Sequence, residues 1–251
     1  DPEFRPGDNL FTNSAVAFNM NDGSMKWYFQ YTPNDSWDYD EIGIHVLYDA
    51  DVNGETRKVV GHFGRNGYFY QLDRSNGQFI NATQWVSTVN WTAGIDPKTG
   101  KPVEYDPSLD IQTYVPGVRA LRGEAADQIE FTCPQLTGGV RWQPPAYDTR
   151  THRAYSAGLD GCYKLPVTNT VSAGANGGID ASQRGGLYGA NFADTIHDGY
   201  YGELTSIDVT TNTVVARHHA PYEYLSGILL TAGNVAFTAT PDGYVTAHNQ
   251  D

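Results

Sequence analysis

The chain has 251 residues, 39% hydrophobic and 13% aromatic, with 27 glycines and a formal net charge of −13. That composition fits one turn-rich globular domain, or two smaller ones, leaning towards β structure. The acidic balance speaks against nucleic acid or an anionic membrane surface as partner, because no basic stripe is present to neutralise phosphates. No run of 18 apolar residues occurs, so no membrane span is expected, and no signal peptide is read.

In chain order, the first segment that reads as structure is Val16–Trp27, an alternating strand, a D-G turn and a second strand. Tyr68–Ile80 repeats the design with an N-G turn, Pro145–Tyr155 is a third copy and Leu204–Val215 a fourth. Tyr244–Asn249 begins a fifth, and Asn19, Asp73, Asp148, Asp208 and Asn249 mark the copies. Asp and Asn cap such hairpin turns, while Gly or Asn supplies the positive φ. Asp96–Glu130 and Val167–Ala193 are weakly periodic and read as long loop excursions, with a short helix conceivable over Ala120–Ile129. Recurrent antiparallel units with loop insertions predict an all-β chain, a β-propeller of four-stranded antiparallel blades. A β-sandwich is the alternative. The first residues read as a loop entered midway and the last as a strand just begun, so a fragment or one chain of a larger assembly is expected.

Thr32–Asp40 carries the chemistry. Residues 35–40 pack Asp35, Asp38 and Asp40 with Trp37 and Tyr39. If this stretch is extended, Asp38 and Asp40 share a face. Like charges that close call for a cation between them or a proton on one, and a hard cation with oxygen ligands is the natural answer. The plainer reading is a solvated acidic loop. Cys133 and Cys162, 29 positions apart, lie in no C-x-x-C or haem-type pattern, which leaves a disulfide of an exported protein or two unrelated buried thiols. Trp27, Trp85 and Trp91 read as packing between blades.

Several ordered runs resemble the pyrroloquinoline-quinone (PQQ) dependent alcohol dehydrogenases of the methanol/ethanol dehydrogenase type. They are Arg5–Leu10, Thr32–Asp40, Gly64–Gly77, Val89–Trp91, Asp96–Val103, Gly138–Asp148 and Thr231–Gly243. The resemblance implies residues 1–251 as a partial quinoprotein propeller domain, about the C-terminal half of an eight-bladed ring. It implies oxidation of alcohols to aldehydes by hydride transfer to PQQ, with Asp38 as general base within an H-D-x-W-D-like motif. Arg65 would hydrogen-bond the quinone carbonyl, and Arg141 and Trp142 would line the cofactor. Asp38 and Asp40 would be metal ligands for a calcium or lanthanide ion, Asp40 adding the anionic oxygen that favours a trivalent ion. A Cys133–Cys162 disulfide, a periplasmic location and a cytochrome c electron acceptor follow from the same resemblance.

The chain departs from the family at Asn34, where His is usual, at Arg141, where an Asn is usual, and at Leu225, where a Trp is common. The upstream half that completes the metal and quinone site is absent from these 251 residues. Two alternatives to an enzyme acting alone therefore stand: a non-catalytic propeller scaffold or binding module, and a half-enzyme that needs a second chain.

Overall fold

The computed structural model describes residues 5–52, 54–116, 118, 130–164, 191–192 and 199–250. Every regular element among them is a strand. Strands β1 (Ser14–Phe18) and β2 (Met25–Gln30) form an antiparallel pair. Strands β3 (Val46–Val52), β4 (Glu55–Phe63), β5 (Tyr68–Asp73) and β6 (Phe79–Gln84) form a four-stranded meander in sequence order. A second four-stranded sheet has the order β12-β11-β8-β7, from β7 (Ala146–Asp148), β8 (Arg153–Leu159), β11 (Gly202–Asp208) and β12 (Thr213–Ala220). Between β8 and β11, β9 (Tyr163–Lys164) pairs with β10 (Asn191–Phe192). A three-stranded sheet of β13 (Leu229–Leu230), β14 (Val235–Ala239) and β15 (Val245–Asn249) ends the chain. All pairings are antiparallel, and the fold is that of a β-propeller, with two complete blades and two partial ones among the described residues.

The repeats work as hairpins, and for one local reason. In each of the first four copies the marker side chain accepts the backbone N–H two residues on: Asn19 from Asn21, Asp73 from Ser75, Asp148 from Arg150 and Asp208 from Thr210, at 2.8–3.1 Å. This Asx turn closes the corner with a bond local to the turn itself. Positive φ follows at Gly23, Gly77 and Asn212 as expected, but the third copy uses His152 (φ 54°) rather than Gly or Asn. The helix considered over Ala120–Ile129 and most of the second excursion lie outside the described residues. Residues 96–116 of the first excursion hold turns and bends, apart from a single bridge between Ile95 and Pro102.

The core lies between blades. Tyr48, Val59, Phe63 and Phe69 of the first complete blade bury against Val140, Ala154, Ile207 and Val209, with Trp85 in the seam. A second cluster joins Ala15 and Phe29 to Tyr70, Leu72, Trp91 and the loop residues Trp37 and Tyr39. Each indole also donates its N–H to a carbonyl: Trp27 to Arg74, Trp85 to Gly64 and Trp91 to Asn66. A large apolar ring thus meets a satisfied polar tip, as packing tryptophans require.

Cys133 and Cys162 are joined in a disulfide, beside the backbone bridge of Thr132 with Tyr163. Closing that loop is worth about 3–4 kcal/mol in the chain-entropy model. Urea unfolding of a Cys133→Ser/Cys162→Ser variant should therefore show a loss of that size; an unchanged midpoint would mean the crosslink constrains nothing.

The first excursion is held in part by Lys101, whose ammonium donates to the Gln30 carbonyl at 3.1 Å and lies over the Phe29 and Tyr105 rings. Burial lowers its pKa from 10.5 to about 8, against the pull of Asp8. The charged form is disfavoured in the native state, so between pH 8 and 10 the unfolded chain binds more protons and stability should rise with pH. The slope approaches about 1.4 kcal/mol per pH unit. Thermal melts from pH 7 to 10 should show this rise in the native sequence and none of it in Lys101→Met.

Candidate functional site

The acidic loop of residues 32–40 is built from the inside out. Trp37 and Tyr39 are fully buried. Trp37 donates its indole N–H to the Val118 carbonyl (2.8 Å), and Tyr39 its hydroxyl to the Pro134 carbonyl (2.6 Å). Asp35 caps the loop: its Oδ1 accepts the Trp37 N–H and its Oδ2 the Tyr39 N–H, both at 2.8 Å. Burial raises the Asp35 pKa, and these N–H bonds oppose the rise. With the aromatics inward and Asp35 capped, Asp38 and Asp40 are the two carboxylates left exposed.

The backbone route to this arrangement is not the extended one considered from the sequence. The loop carries no strand, and Asp38 sits in the left-handed region at φ 63°. Asp38 and Asp40 nevertheless come close enough to interact. Partial desolvation first, and the Asp40 charge second, raise the Asp38 pKa to about 6, while Arg65 and Arg141 pull it down. The charges of Asp40, Arg65 and Arg141 thus all act on Asp38.

Arg65 reaches the acidic loop from the turn between β4 and β5, and the turn is fixed on every side. The carbonyls of Gly64 and Asn66 accept the indole N–H groups of Trp85 and Trp91. The Arg65 N–H donates to Glu41 Oε2 (3.0 Å), and its carbonyl accepts from Gly139 (3.0 Å). Gly67 closes the turn at φ 93°, where a Cβ would stand 2.5 Å from Val89. Gly138, at φ 73°, leaves the room that the Arg65 side chain occupies. The residue is only 2% exposed. Its guanidinium donates through Nη1 to the Asp40 carbonyl (3.0 Å) and through Nη2 to the Leu136 carbonyl, while the buried Nε has no acceptor.

Arg141 is partly buried, stacks over the Trp142 ring at 5.2 Å, and also has a buried Nε without an acceptor. Trp142 itself is 53% exposed, an open aromatic face beside the guanidinium. The two orphaned Nε–H groups fit a ligand rich in carbonyl and carboxylate oxygens. A metal ion is served less completely. No group of three or more His, Cys, Asp or Glu positioned to hold one is found among the described residues. Two carboxylates fall short of the six to eight oxygens that a calcium-like ion takes.

Of the positions where the chain departs from the resembling family, Arg141 faces the candidate site and Asn34 is structural. Asn34 is buried at φ 48°, donates to the Gly7 carbonyl (2.7 Å) and accepts the Gln112 N–H (2.9 Å), tying three segments together. Leu225 is exposed.

Sequence reasoning did not single out Glu41, His62, His45 and Tyr31. Glu41 Oε2 lies 2.8 Å from His62 Nε2, and both side chains are buried. The His62 ring stacks on His45 at 4.0 Å, and His45 Nε2 lies 2.9 Å from the Tyr31 hydroxyl. Burial raises the Glu41 pKa to about 7 and lowers both histidines to about 3, so the imidazoles are neutral near pH 7. The available signal was a Glu directly after Asp40 with a His four residues on, polar residues running into a strand.

Comparison with known proteins gives a consistent result. Residues 3–90 match the family described as PQQ: Glucose/ethanol/alcohol dehydrogenase, beta-propeller domain. The chain is 34% identical over 246 residues to the quinoprotein alcohol dehydrogenase PedH of Pseudomonas putida, covering 98% of this chain and 38% of that protein. It is 33% identical over 247 residues to the lanthanide-dependent methanol dehydrogenase of Methylacidiphilum fumariolicum, covering 96% of this chain and 36% of the relative. Among solved structures, a europium-containing methanol dehydrogenase superposes with a TM-score of 0.80 at 30% identity, over 97% of this chain and 39% of that one. The sequence suggested about half of such an enzyme; by length the chain spans a little over a third of these relatives. Along nearly its whole length, the chain resembles part of the PQQ-dependent quinoprotein alcohol dehydrogenases.

Proposed function

We propose that residues 1–251 are a partial quinoprotein propeller domain that supplies the proton acceptor and the cationic partner of a PQQ-dependent alcohol oxidation. The observation that carries this reading is the meeting of exposed Asp38 and Asp40 with the rigid, buried Arg65, whose Nε–H lacks an acceptor. A solvated acidic loop has no need of a guanidinium fixed through its backbone and both neighbouring carbonyls. A buried, incompletely bonded cation is costly unless something uses it.

Asp38 is the general base. Ionised near neutral pH, it accepts the hydroxyl proton of the alcohol as the carbon-bound hydride leaves. A bound PQQ would supply the hydride acceptor, held here by Arg65 and Arg141, and a hard cation, held in part by Asp38 and Asp40, would supply Lewis acidity. Arg65 donates hydrogen bonds towards the oxygen on which charge gathers, and its fixed turn removes any reorganisation from that step. Arg141 would pair with a cofactor carboxylate, and Trp142 would line the same pocket. Asp38 and Asp40 give a calcium or lanthanide ion two anionic ligands, Asp40 favouring the trivalent ion by charge.

The remaining ligands belong to the N-terminal part of the propeller, on the same or a second chain. Exposed Phe18 and Met20 at one end, and Leu229 and Val245 at the other, suit adjoining blades. No helix among the described residues is long and apolar enough to cross a membrane. The disulfide suits the periplasm, and a cytochrome c is the assigned electron acceptor.

Titration with PQQ plus calcium or lanthanum, followed by absorbance and by dye-coupled ethanol oxidation, tests this. The 251 residues alone, with two carboxylate ligands, are expected to turn over little or no alcohol. With the rest of the propeller supplied, quinone binding and turnover lost in Asp38→Ala are expected, and turnover that survives in Asp38→Ala would remove it as the base. Arg65→Lys should keep the charge, lose the planar fork, and lower kcat about 10²–10³-fold, the size of losing one oxyanion-type donor. Asp40→Ala should shift ion preference from lanthanum towards calcium; an unchanged preference would remove Asp40 from the ligand set.

A further inference from the structure

Glu41 and His62 bury a carboxylate and an imidazole where a propeller seam ordinarily holds apolar side chains. Burying a carboxylate against a neutral imidazole carries a desolvation cost that an apolar side chain there would not, so its position is informative. Glu41 follows Asp40 directly, yet its carboxylate turns inward, away from the exposed acids. There Oε2 receives the backbone N–H of Arg65 at 3.0 Å, and the carbonyl of neighbouring Asp40 receives Arg65 Nη1 at 3.0 Å. Two consecutive residues of the acidic loop therefore grip the backbone and the head of the same arginine.

The far side of Glu41 is walled. His62 Nε2 meets Oε2 at 2.8 Å, His45 stacks on His62 at 4.0 Å with the rings 11° apart, and the Tyr31 ring lies 4.7 Å from His62. Gly64 completes the fit, because a Cβ there would stand 2.7 Å from Asn66 Oδ1 and 3.2 Å from Glu41 Oε1. Oε2 is thus held from two sides, while Oε1 is buried without a hydrogen-bond partner.

We propose that Glu41, braced by His62, is a positioning residue that sets the separation between the Asp38–Asp40 segment and the Arg65 guanidinium. It touches neither substrate nor cofactor and acts through Arg65. The inference rests on the reading of Asp38 and Arg65 as base and cationic partner. An apolar side chain at position 41 would fill the volume but leave the Arg65 N–H buried without an acceptor. The guanidinium would then follow its backbone away from Asp40.

The test needs no cofactor. The Nε–Hε resonance of Arg65 in the 251-residue chain, identified by its loss in Arg65→Lys, reports whether the guanidinium is held. It should be well dispersed and slow to exchange in the native sequence. In Glu41→Ala its exchange should accelerate about tenfold or more, the mark of local release rather than global opening. Glu41→Gln keeps an amide oxygen for the Arg65 N–H and should retain the slow signal. Val60→Ala, a core change elsewhere on β4, should lower the melting temperature without moving it.

An Arg65 signal unchanged in Glu41→Ala would overturn the proposal. So would failure of both Glu41 variants to fold, which would make the residue a support of the blade and nothing more. Turnover of the completed propeller that survives in Asp38→Ala would count against the function proposed above and leave this readout intact.

Discussion

The site depends on which side chains of one short loop can leave water. Trp37 and Tyr39 each remove a large aromatic surface from solvent, worth several kcal/mol by area, and their polar tips find the Val118 and Pro134 carbonyls. Asp35 can follow them inward because two backbone N–H groups meet its carboxylate. Asp38 and Asp40 find no such partners inside and remain at the surface. The crowding of charge at the candidate site is thus a consequence of aromatic burial next door.

The opposing wall is made rigid by different means. The turn carrying Arg65 is held by two tryptophan indoles, a glutamate and a glycine N–H, all through backbone groups. The same tryptophans fill the seams between blades, so blade packing and the placement of Arg65 are one arrangement. Positive charge held in this way is pre-organised, and pre-organised charge is the most effective kind for stabilising an oxygen that gains negative charge. The partly satisfied Arg65 guanidinium and the buried Glu41–His62 pair adjoin one another beside the acidic loop. Local departures from packing rules are expected to gather where function is.

Much of this was legible in advance because its causes are local. An Asp or Asn at a strand end followed by small polar residues makes an Asx turn wherever it lies, which is why four hairpins could be read directly. The identities of Asp38, Asp40, Arg65, Arg141 and Trp142 came from motif resemblance, and the structure sets the Arg65 guanidinium on the Asp40 carbonyl and Arg141 over Trp142. The extended path through Asp38 was not realised, because alternation of faces supposes strand geometry and this loop is held by an Asx cap. Glu41, His62 and His45 escaped notice because isolated polar residues entering a strand resemble surface positions until the strand is known to be buried.

The sequence by itself determined the hairpins, the all-β class and the residue types of the candidate site, since turn chemistry and side-chain alternation act over a few residues. Tertiary structure alone decided that Asp35 is capped and Asp38 free, that Trp85 and Trp91 hold the Arg65 turn, and that Glu41 faces inward. The Asp35 bonds themselves span only two and four residues, but the burial that selects them and the other outcomes rest on contacts between segments more than twenty residues apart, such as Trp37 with Val118, Glu41 with Arg65 and Trp91 with Asn66. Their partners are chosen by packing, which no local pattern encodes.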